Sequence, residues 1–162
     1  MRSAIFAIIS VVLFGFAGQA IAQDAAVKAE NEKNINLLRK DVRSAKKQLI
    51  AASMVLSDAE AQRFWPIYDQ YAAEMEKLYT DRIHLIKEYA ANQKTLTEDQ
   101  AASLNTRSID LDYSFTQLRK RYVPLFGKAL GGKAQALFFQ LDKRISLLID
   151  LQIASEVPLV EQ

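Results

Sequence analysis

The chain has 162 residues, with 21 Lys and Arg against 19 Asp and Glu, one histidine and no cysteine. Near-balanced charge argues against a dedicated nucleic-acid binder, and the lack of cysteine excludes disulfides and thiolate metal sites. A single histidine leaves nucleophilic catalysis without its usual base, and no Gly-rich phosphate loop is present, so neither an enzyme nor a cofactor is expected.

Residues 1–22, MRSAIFAIISVVLFGFAGQAIA, combine a positive start at Arg2, an apolar run from Ala4 to Ala17 and the small-x-small triplet Ala20-Ile21-Ala22. This pattern predicts a cleaved secretory signal. The alternative is a retained membrane anchor, but the run is shorter than the roughly 20 residues that a spanning helix needs. Cleavage would leave residues 23–162 as a single exported domain with no transmembrane span, and 20 cations against 19 acids.

Helical periodicity persists along that domain and no strand-like alternation does, so the expected fold is all-α with four amphipathic helices. The first, about 29–53, carries Ile35, Leu38, Val42, Ala45, Leu49 and Ala52 at three- and four-residue steps. It is also basic, with seven cations from Lys28 to Lys47 against Glu30, Glu32 and Asp41. The second, about 58–91, is announced by LSDAE, in which Ser57 can cap, Glu60 can reach back and Leu56 can act as a hydrophobic staple. Its stripe runs Phe64, Tyr68, Tyr71, Met75, Leu78, Leu85 and Tyr89, interrupted by Arg82.

The third helix, about 98–127, follows LTEDQ, where Leu96, Thr97 and Gln100 repeat the capping device. Its stripe is Leu104, Ser108, Leu111, Phe115, Leu118, Tyr122 and Leu125. The fourth, about 132–155, presents Ala134, Leu137, Phe138, Leu141, Ile145 and Leu148 after a degraded start in which Gly131 stands at the cap. Sustained three/four spacing favours antiparallel hairpins with coiled-coil-like packing.

Pro66 and Pro124 lie inside the second and third helices, each about 200° round from the start of its stripe. Each frees one carbonyl on the outer side, and together they are expected to bend the two helices toward their apolar faces. Alternatively, Pro66 marks the first turn of a helix that starts late, near Trp65.

The motifs LTEDQ at 96–100 and LSDAE at 56–60 resemble those of the Spy/CpxP-like periplasmic proteins, which are marked by LTxxQ; the second copy has Ser for Thr and Glu for Gln. The segment LGGKAQALFFQLDKR, 130–144, looks like the start of that family's last helix with its cap lost. The resemblance implies a periplasmic, curved, cradle-like layer of four helices that forms a homodimer. It further implies a stress-related, non-enzymatic role: ATP-independent, chaperone-like binding of unfolded or partly folded proteins, or signalling by contact with a membrane sensor domain, which can be metal-responsive. No catalytic residues carry over. The matching positions, Leu56, Ser57, Glu60, Leu96, Thr97 and Gln100, have a structural role as helix caps.

Three further expectations concern sites. Asp81, His84 and Glu88 fall at i, i+3 and i+7 on one helix face, a weak candidate for a divalent ion, although charges so spaced usually form a solvated face. Arg39, Lys40, Arg43, Lys46 and Lys47, together with Arg119, Lys120 and Arg121 from a stretch lacking acids between Asp112 and Asp142, form a candidate basic binding face or simply solvated helix surface. The aromatic load of Trp65, Tyr68, Tyr71, Tyr79, Phe115 and Tyr122 exceeds what two hairpins are expected to cover, which predicts a two-fold partner. The segment IASEVPLV, 153–160, is then expected either to pack back over the seam or to extend across to that partner.

Overall fold

A computed structural model of the chain describes residues 42–160. The chain divides into two compact units, Met1–Ala45 and Lys46–Gln162, and residues 42–45 are the described part of the first. The expected signal segment, Arg39 and Lys40, and the Ile35 and Leu38 end of the first stripe lie outside the described residues. The fold is all-helical, with four helices and no strand among the described residues. Helical residues 42–53 form α1, followed by α2 (Asp58–Asn92), α3 (Glu98–Ala129) and α4 (Gly132–Glu156).

Local chemistry sets the starts of α2 and α3. Ser57 and Thr97 adopt extended backbone at the N-cap, which turns each hydroxyl toward the first helical turn. The Ser57 hydroxyl accepts from the Glu60 amide at 3.4 Å, while the Glu60 carboxylate accepts from the Ser57 amide at 3.0 Å. Thr97 and Gln100 repeat the exchange at 3.3 and 3.0 Å. Two amide donors that lack intrahelical partners are thereby satisfied at each start. Gly131 begins α4 with the same extended backbone but no side chain to cap it.

α2 runs unbroken through Pro66, and α3 through Pro124. Both prolines are exposed, where water can satisfy the carbonyl each one frees. A late start near Trp65 is overturned: the capping box at Ser57 begins α2 at Asp58, two turns before Pro66.

Aromatic rings make the core. Phe138 of α4, fully buried, lies 4.3 Å from Phe126, 5.3 Å from Phe64, 5.9 Å from Tyr71 and 6.1 Å from Tyr68, measured between ring centroids. Several of these pairs are edge-to-face, a geometry worth about 0.5–1.5 kcal/mol per pair beyond the area it covers. Along α2 the partners on α3 recede as α2 advances: Phe64 meets Phe126, Tyr71 meets Tyr122, Tyr79 meets Phe115 and Glu88 meets Arg107. α4 advances with α2, Phe138 lying on Phe64 and Asp150 on Arg82.

Three stripes differ from expectation. On α1, Val42, Ala45, Leu49 and Ala52 are exposed, while Ile50 and then Met54 are buried and Lys46 is half-buried. The inward side of α1 is thus offset from the apolar series, because Lys46 turns in to meet a carboxylate. On α3 the seam closes through Phe126, one four-residue step beyond Tyr122, and Leu125 is exposed. On α4, Leu137 and Leu148 face solvent, and Asp142 and Ser146 take the inward positions beside Phe138. Val157 ends α4, and Leu159 and Val160 beyond Pro158 are exposed rather than packed back.

The aromatic surplus is likewise resolved within the chain. Tyr68, Tyr71, Phe115 and Tyr122 are buried, and Trp65 and Tyr79 pack partly against the core. These rings require no second copy to cover them.

Candidate functional site

Among the described residues, the densest cluster of charged and polar side chains surrounds Asp142, a residue that the sequence did not single out as a site. Its side chain has no exposure. One carboxylate oxygen accepts from Lys46 Nζ at 2.6 Å; the other accepts from the Tyr71 hydroxyl at 2.8 Å and from Arg119 Nε at 3.0 Å. Arg119 also donates to Ser146 Oγ at 3.0 Å, one turn along α4. The cluster therefore joins α1, α2, α3 and α4 through a single carboxylate.

A carboxylate removed from water is costly unless paired and fully hydrogen-bonded, and Asp142 is both. Burial by itself would raise its carboxyl, but Lys46, Arg119 and Tyr71 outweigh that and hold it below the usual carboxylate range. Burial, reinforced by the Asp142 charge, pushes the Tyr71 hydroxyl far above its ordinary range. Near neutral pH Asp142 is thus the hydrogen-bond acceptor and Tyr71 the donor. The sequence signal that could have found the cluster is phase: Phe138, Asp142 and Ser146 follow at four-residue steps, so a lone acid sits in register with a buried ring.

The expected basic face divides. Arg43 and Lys120 are exposed. Lys46 and Arg119 are drawn into the Asp142 cluster. Lys47 pairs with Asp69 at 2.6 Å and lies 5.3 Å from the centre of the Trp65 ring. Arg121 pairs with Glu74, which also accepts from the Tyr122 hydroxyl at 2.6 Å, and burial with that contact pushes Tyr122 up to about 12. Four of these cations thus answer carboxylates of their own chain. Arg82, which interrupts the α2 stripe, clamps Asp112 of α3 and Asp150 of α4 and lies 4.7 Å from the centre of the Phe115 ring.

The candidate metal ligands lie at the surface. Asp81, His84 and Glu88 are exposed, and both Glu88 oxygens accept from Arg107 at 2.8 Å, which lowers the Glu88 carboxyl. Among the described residues no group of three or more His, Asp or Glu side chains is placed to hold an ion.

Besides α1, the outer faces of α3 and α4 carry exposed apolar side chains. On α3, Ile109 and Tyr113 are exposed, with Lys120 and Val123 further along. On α4, the exposed residues are Leu137, Leu147, Leu148 and Leu151. No described helix is long and apolar enough to cross a membrane. Compared with models of known protein families, with characterised proteins and with solved structures, the chain matches none.

Proposed function

We propose that the protein is an exported, non-enzymatic, stress-related binding protein that holds unfolded or partly folded polypeptides without ATP, in the manner the Spy/CpxP-like resemblance implies. The observation that supports this reading is the outer face of α3, where Ile109, Tyr113, Lys120 and Val123 mix aliphatic, aromatic and cationic groups at helical spacing without an enclosing site. Tyr113, 64% exposed, supplies the aromatic contact. Long cationic stems beside a ring allow loose apolar contact steered by charge, which tolerates many sequences.

Antiparallel hairpins, a curvature set by Pro66 and Pro124 and a homodimer belong to the same proposal. The dimer rests on the resemblance, since the aromatic rings that called for a partner are covered within the chain.

The test is suppression of aggregation of several chemically denatured clients at stoichiometric protein without ATP. Suppression that weakens when Ile109 and Tyr113 are both changed to Ser supports the proposal. No suppression of any client, with a single membrane-protein domain recovered by pull-down, would replace it with the sensor-accessory role.

A further inference from the structure

Helix α4 turns Phe138, Asp142 and Ser146 inward and leaves its opposite side to solvent. At about 100° per residue, Lys133, Leu137, Arg144, Leu147, Leu148 and Leu151 all fall within about 60° of the direction opposite Asp142. The three later leucines protrude, at 51, 67 and 67% exposed. Beyond the helix, Leu159 and Val160 are also exposed, at 90 and 58%.

Charge decides what fits this face. Of the acids between Gly132 and Leu151, Asp142 is buried in its cluster and Asp150 is held by Arg82. Lys133, Lys143 and Arg144 are exposed, and none of them forms an ion pair among the described residues. Among the described residues from Gly132 to Leu151, the outer face thus joins leucines to cations with no free carboxylate.

A second copy suits it poorly. Two-fold symmetry sets identical patches face to face, and a second such patch brings no carboxylate from Gly132 to Leu151 to answer these cations. A surface that offers both anionic groups and hydrocarbon answers both features at once. Leucines on the crest of one helix can enter the headgroup boundary about 5–10 Å deep while flanking cations meet phosphates.

We propose that the outer face of α4 is a peripheral docking surface for an anionic lipid bilayer. The helix lies in the interfacial plane rather than spanning, with the Leu147–Leu151 end inserted and Lys133, Lys143 and Arg144 on the headgroups. The inward side of the same helix keeps its contacts with α1, α2 and α3, so docking requires no unfolding. The proposal uses a different helix from the one proposed for polypeptide binding and stands or falls separately.

The chain has no cysteine, so a polarity-sensitive fluorophore on Leu151→Cys reports from one place, with Ile109→Cys on α3 as the control. With phosphatidylcholine vesicles containing phosphatidylglycerol, the label at position 151 shifts to the blue and is quenched by a lipid-borne quencher, while the label at 109 stays water-like. Adding Lys143→Glu and Arg144→Glu, with helicity checked by circular dichroism, weakens the partitioning at least about tenfold. The proposal is overturned if the label at 151 stays in water, if phosphatidylcholine alone gives the same response, or if position 109 responds equally. A blue shift that grows with protein concentration without vesicles would assign the face to a second copy, and one produced by an acidic polypeptide would assign it to such a partner; either result also overturns it.

Discussion

The Asp142 cluster and the Glu88–Arg107 pair use the same chemistry, a carboxylate met by a guanidinium, yet occupy opposite environments. Glu88 and Arg107 are about half exposed and face each other across α2 and α3 with two parallel bonds of 2.8 Å. Asp142 is fully buried and shared among Lys46, Arg119 and Tyr71. At the surface, water and salt offer each ion an alternative partner, so the pair contributes little. In the interior no alternative exists, and each group depends on the others.

The largest effect expected from breaking this contrast is at Asp142. Asp142→Ala leaves Lys46 and Arg119 partly buried without their carboxylate and should destabilise the fold by about 3–5 kcal/mol, read as a lowered urea midpoint. A loss below about 1 kcal/mol would mean that water reaches the cluster.

Acid titration sharpens the same contrast without mutation. Asp142 has its carboxyl held below the unfolded value, so its contribution is complete above the ordinary range near pH ~3.9 and is lost as pH falls through the folded value. Thermal melts should therefore show stability falling below about pH 4, with a shallower fall in Asp142→Ala. Glu60 and Glu88 are shifted in the same direction and contribute part of what remains.

The smallest effect is expected at the exposed pair. Glu88→Gln should leave the urea midpoint nearly unchanged, and whatever difference exists should vanish at high salt. A loss comparable with that of Asp142→Ala would erase the distinction between the two environments.

These two regions also mark what could be read in the sequence. The helix starts at Asp58, Glu98 and Gly132 were legible because a cap is a local matter: Ser57 with Glu60, and Thr97 with Gln100, lie within one turn of each other. The seam of α2 was legible for a similar reason, since Phe64, Tyr68, Tyr71 and Met75 follow a single phase and all are buried. α1 offered two phases, Val42/Ala45/Leu49/Ala52 and Lys46/Ile50/Met54, and the lysine disguised the inward one. Phase alone could mark Asp142 as inward, but its partners were illegible because they lie 96, 71 and 23 residues away. Only folding brings together the charges that make its burial tolerable.

The bare start at Gly131 has a consequence of another kind. α2 and α3 each begin with two reciprocal bonds, whereas the first turn of α4 is held from outside itself, by Gln135 Nε2 donating to the Val123 carbonyl at 2.5 Å and by Phe138 in the core. Without the reciprocal capping bonds of α2 and α3, this turn is expected to open locally at lower free energy than the starts of those helices. Any fraying from the glycine end of α4 meets its first fully buried side chain at Phe138.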